Sequence, residues 1–129
     1  MASRPLKQML VAMDFSPTAE RAFRWALAIA KAHGATVLVV HAIEPDIEFS
    51  SDDGREKYEK TLEKRAVKLM REAEDGGVET QFGLADGQPW EVVAQLAEER
   101  EVDLIVIGSR GLNPFDRILL GSVADRVIR

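Results

Sequence analysis

The sequence contains no cysteine, which removes disulfides, thiol nucleophiles and every Cys-ligated zinc site. Histidine is nearly as scarce. His33 and His41 are the only two, so one chain cannot build a three-His metal centre. No apolar run approaches the ~18 residues that cross a membrane; Val37–Val40 and Leu104–Ile107 are short, clean ones. The run Met9–Met13 stops at Asp14, too short for the apolar region of a signal peptide. Basic charge is also short: 17 Lys and Arg stand against 22 Asp and Glu, a net charge of −5. An acidic chain is a poor partner for nucleic acid or an anionic membrane surface, and neither is expected here. The lack of cysteine allows a reduced cytosol without proving it, and a cytoplasmic location is the expectation.

Several catalytic patterns are missing too. There is no G-x-x-x-x-G-K-[ST], no G-x-G-x-x-G after the first strand and no G-x-S-x-G elbow. A phospho-acceptor receiver domain would want several acids at strand ends, and the first strand offers only Asp14.

What is present is regular. At 129 residues the chain is expected to form one domain over 1–129. Met9–Met13, Val37–Ile43 and Leu104–Ile107 are short, Val- and Ile-rich runs of the kind buried on both faces of a parallel sheet. Val78, Thr80 and Phe82 alternate with Glu79 and Gln81, which predicts a strand with one wet face at a sheet edge. Helical segments lie between. Ser16-Pro17 reads as an N-cap and first helical residue, with Ala19, Ala22, Phe23, Ala26, Ile29 and Ala30 inward and Gly34 as the left-handed stop. From Asp52 to Glu74, Tyr58, Leu62, Ala66, Leu69 and Ala73 form one stripe, and the surrounding charges are its solvated face. Pro89 opens a third helix, with Trp90, Val93, Leu96 and Ala97 expected inward. Strands alternating with helices predict an α/β fold: an open, doubly wound parallel sheet with helices on both faces.

In such a sheet ligands bind beyond the carboxyl ends of the strands. The first strand ends Met13-Asp14-Phe15-Ser16, and the fourth ends Gly108-Ser109-Arg110-Gly111. Nine residues later comes Gly121-Ser122, where Ser122 sits as an N-cap and Asp125 completes a capping box. Bare glycine N–H groups, a helix start and Arg110 together suit phosphate oxygens. Three glycines and a hydroxyl at these offsets arise by chance at under about 1% in a chain this long. His41 is expected as a satisfied structural histidine. His33 is expected to complement the end of the first helix, and Trp25 and Trp90 to serve as core or interface residues.

Gly108-x2-Gly111-x9-Gly121-Ser122 resembles the nucleotide-binding signature of the universal stress protein family, in its ATP-binding type. The segments Met13–Ser16, Val39–Ala42 and Val102–Gly111 agree, and the likeness runs from about Lys7 to Arg129. The resemblance implies a strand order of 3-2-1-4 and an ATP site with magnesium bridging the phosphates. It places Asp14 near ribose and phosphates, Ala42 at the adenine edge with Ala12 and Met13 beside it, and Gly108 against the ribose. Arg110, Gly111, Gly121, Ser122 and Val123 would surround the phosphates. It implies a nucleotide-dependent stress-response module acting as a homodimer. The alternative is a slow ATP hydrolase or nucleotidyl-transfer enzyme on the same fold. The family's fifth strand has no counterpart after Ser122. The fourth strand's edge is therefore expected to be bare, and the natural chain is expected to continue past Arg129.

Overall fold

The computed structural model describes residues 5–108 and 118–120. The elements run β1 (Gln8–Ala12), α1 (Pro17–His33), β2 (Thr36–Ile43), α2 (Gly54–Asp75), β3 (Thr80–Asp86), α3 (Pro89–Glu99), β4 (Leu104–Ile107) and β5 (Ile118–Leu120). They form one sheet ordered β3-β2-β1-β4-β5. The first four strands are mutually parallel, in the expected order 3-2-1-4. The expectation of a bare β4 edge is corrected: β5 pairs antiparallel with β4, Ile105 opposite Leu119. A fifth strand is therefore present. It comes from within the nine residues between Gly111 and Gly121, which read from sequence as a loop.

Alternation along each strand sends side chains to two different helix layers. Met9, Val11, Val37, Val39, Leu104 and Val106 pack under α1 and α2. Leu10, Leu38, Val40 and Ile105 pack under α3 with Val92, Val93 and Ala97. Burying each large apolar side chain contributes about 1.5–3 kcal/mol, so two filled layers fix the register of the parallel strands. Phe23 and Met9 are wholly enclosed.

The helix signals act as their chemistry requires. Ser16 Oγ accepts from the Ala19 N–H at 3.1 Å, and Pro17 begins α1. Gly34 closes it at φ 67°, with its N–H bonded to the Ala30 carbonyl, and His33 sits in the last turn. On α2, Leu62, Ala66, Leu69 and Ala73 are buried, while Glu56 and Lys60 pair across one turn at 3.1 Å. Arg24 of α1 reaches Glu72 of α2 at 2.7 Å. The Glu72 hydrogen bond raises the Arg24 guanidinium above its ordinary value. On α3 one expectation fails. Trp90 is 66% exposed, and Val92 takes the inward place. At ~100° per residue, position 90 falls at the flank of a face centred on 92, 93 and 97.

Asp103, just before β4, ties the sheet together at its amino end. Its Oδ2 accepts from the backbone N–H groups of Lys7 and Gln8, at 2.9 and 3.1 Å. Its own N–H donates to the Gln8 carbonyl at 2.8 Å, so β1 and β4 start in register.

Candidate functional site

The site begins where β1 leaves the sheet. The Met13 N–H donates to the Val40 carbonyl at 2.8 Å, and Ala12 is the last β1 residue paired with β2. β2 continues to Ile43, still paired with β3. Along a strand, backbone groups two residues apart face the same side. Because the Val40 carbonyl faces β1, the N–H and C=O of Ala42 are directed into the space β1 has vacated. This side-by-side donor and acceptor edge suits a planar heterocycle.

The turn from β1 to α1 is held tightly. Asp14 Oδ1 accepts from the Ser16 N–H at 2.9 Å. Phe15 takes φ 62°, in the left-handed region that non-glycine residues rarely adopt. Its N–H meets Met13 Sδ at 3.3 Å, and its carbonyl accepts from Arg65 of α2 at 3.0 Å. His41 Nδ1 lies 2.7 Å from the Met13 carbonyl and therefore carries the proton. His41 is only half the satisfied histidine expected, because its buried Nε2 has no hydrogen-bond partner among the described residues.

Between this turn, β2, the end of β4 and the start of α3 lies a cavity of about 260 Å³. Ala12, Met13, Asp14, Ala42 and Gly108 all line it, so five of the ten residues singled out from sequence converge. Arg110, Gly111, Gly121, Ser122 and Val123 lie outside the described residues. The structure adds a wall that sequence reasoning missed. Pro89, Val92 and Val93 of α3 close one side, and Glu44 lines the cavity beyond Ala42. Apolar helix positions read as core whatever they face, so α3 gave no separate signal. Glu44, two positions past Ala42, could have been found from strand alternation.

Gly108 has a reason of its own. A Cβ there would lie 2.7 Å from both Ala19 Cα and the Thr18 carbonyl oxygen. The absent side chain lets β4 end against the first turn of α1, which brings the two halves of the cavity together. A second, larger depression of about 460 Å³, lined by Met70, Glu74 and Thr80 among others, lies at the amino end of β3. It is far from the strand ends where this fold collects its ligand groups.

A parallel sheet wound on both faces, with a cavity at the carboxyl ends of β1, β2 and β4, defines an open α/β domain with its crevice at the strand ends. The family model of the universal stress proteins matches residues 5–129, and the chain belongs to that family. A Thermus aquaticus universal stress protein is 39% identical over 124 residues, covering 95% of this chain and 90% of the relative. The solved structure of MJ0577, from Methanocaldococcus jannaschii, superposes with a TM-score of 0.61 at 28% identity, over 92% of this chain and 85% of that one. An Arabidopsis thaliana family member solved with AMP bound has a TM-score of 0.61 at 22% identity, over 84% and 79% of the two chains, a likeness of fold.

Proposed function

We propose that this protein binds ATP with magnesium and acts as a nucleotide-dependent stress-response module. The observation that carries the reading is the vacated strand position. Ala42 presents an N–H and a C=O into an apolar cavity whose floor is Ala12, Ala42 and Ile107. Those two groups match the N1 acceptor and N6 donor of adenine. Glu44 on the same wall offers an acceptor to an exocyclic amine and would repel the O6 of guanine. Asp14 stands where ribose hydroxyls would reach, and Gly111, Gly121, Ser122 and Arg110 would surround the phosphates. Magnesium in this proposal arrives bound to those phosphates. That a family member of the same fold was solved with AMP supports the ligand class.

Among the described cavity-lining residues, the titratable ones besides Asp14 are His41, whose Nδ1 is held by the Met13 carbonyl, and Glu44, at the base end, and neither is paired with Asp14 as a general base. Turnover in this reading is therefore far below the ~1–10³ s⁻¹ of ordinary enzymes. A cytoplasmic location and a homodimer belong to the same proposal; β5, last in the sheet order, is the edge a second copy would meet. Among the described residues, no helix is long and apolar enough to cross a membrane.

Calorimetry tests the reading. ATP with Mg²⁺ is expected to bind in preference to GTP, and Gly121→Val to abolish binding, because a branched side chain would occupy phosphate space. Unchanged ATP affinity in that variant would remove the phosphate assignment. Rapid, Asp14-dependent hydrolysis would make the protein an enzyme.

A further inference from the structure

The two peptide carbonyls that flank Asp14 are both held by side chains from elsewhere in the fold. His41 of β2 bonds the Met13 carbonyl at 2.7 Å, and Arg65 of α2 bonds the Phe15 carbonyl at 3.0 Å. Phe15 needs such support. It is buried, holds its backbone at φ 62°, and stands between a cavity-lining carboxylate and the N-cap of α1. A non-glycine residue persists in that region only where its surroundings over-determine it. Here they do so from two sides. The Arg65 guanidinium lies 4.8 Å over the Phe15 ring, and the His41 ring lies 5.4 Å from it. Phe82 of β3 adds a third contact at 6.1 Å.

His41 shares a strand face with Val37 and Val39, the face covered by α1 and α2, and it also borders the cavity beside Ala42. Its Nδ1 reaches the turn at the Met13 carbonyl. Its Nε2 has no partner among the described residues, so the ring is oriented by the Met13 carbonyl. Arg65 reaches the turn through the carbonyl and the ring of Phe15.

From this geometry we infer that Arg65 is a positioning residue of the ligand site: with His41 it locks the left-handed Phe15 turn that fixes Asp14 toward the cavity, and so couples α2 to ligand affinity. The inference rests on the ATP-binding reading for its functional half, while its structural half stands without a ligand. The Ser16 N–H, bonded to Asp14 Oδ1, reports the turn directly.

The test uses the full chain. In amide hydrogen exchange without nucleotide, Arg65→Met is expected to speed exchange at Ser16 by about tenfold, the scale of one lost charge-assisted hydrogen bond. The interior amides of Ala26 and Val39 are expected to hold. Arg65→Lys, which keeps a cation and a donor over the ring, is expected to restore most of the protection. In titration with ATP and Mg²⁺, Arg65→Met is expected to weaken binding by about tenfold, and by much less in an Asp14→Ala background. An unmoved Ser16 amide, or a uniform rise across all amides, would overturn the inference. If the unaltered protein binds no ATP, the functional reading fails by itself, and the exchange result still decides whether Arg65 positions the turn.

Discussion

Gly108 illustrates how a residue in a ligand signature can be required by packing alone. The constraint is backbone against backbone: a methyl group at 108 would meet Ala19 Cα and the Thr18 carbonyl at 2.7 Å, and neither can rotate away. Gly108→Ala is therefore expected to push β4 from the first turn of α1 and to destabilise the fold by about 1–3 kcal/mol. Urea unfolding measures this, and a loss under about 0.5 kcal/mol would show that the junction yields easily. The presence of the glycine could be read from sequence, but its reason could not. A G-S-R-G turn announces close approach without saying to what, and the approach here is to a helix some ninety residues earlier. Asp14 was legible for a better reason. A carboxylate closing an apolar run must find donors, and the Ser16 N–H is one that local chain geometry supplies. His41 was legible only in part, since no sequence pattern shows that its partner is the Met13 carbonyl.

At the scale of elements, local chemistry was the reliable guide. Ser16-Pro17 and Gly34 bound α1 because capping needs only neighbours in the chain, and the α2 stripe was visible because its period is internal. Trp90 and β5 were not legible in the same way. Trp90 has the composition of a core residue but sits at the wrong angle on α3. Ile118–Leu120 is three residues long, and so short an antiparallel strand is defined by its partner β4 rather than by its own pattern. Asp103 shows the same dependence on partners. Its carboxylate serves two backbone donors at the start of β1, and these bonds join strands far apart in sequence. Asp103→Ala would leave the Lys7 and Gln8 N–H groups without that acceptor. The expected loss is about 1–3 kcal/mol, less than the sum of two buried bonds because the site is only partly covered. Chemical denaturation of the variant checks the figure. A neutral result would mean that the Asp103 N–H bond to Gln8 and the β1–β4 ladder suffice for register.

Across the whole molecule, the cavity is not a module that can form alone. Its lining comes from β1, β2, β4, α1 and α3, and its two sides meet only when the β1–β4 junction closes at Gly108. Global unfolding must therefore destroy it, and any ligand that occupies it must stabilise the entire sheet by linkage. At a free concentration of one hundred times its dissociation constant, ATP with Mg²⁺ is expected to add about 2.7 kcal/mol. For a domain of 129 residues this corresponds to a rise of about 10 °C in the unfolding midpoint. GTP at the same concentration is expected to give a clearly smaller rise, because the proposed site matches Ala42 and Glu44 to a 6-amino purine. A local optical signal should accompany the global one. Trp90 stands exposed beside Pro89, which lines the cavity, whereas Trp25 lies on α1 outside it. Nucleotide should thus change the emission of the unaltered protein and of Trp25→Phe, but not of Trp90→Phe. A midpoint that does not move with ATP, in a protein whose unfolding remains cooperative, would mean that the cavity at the strand ends is not where a nucleotide binds.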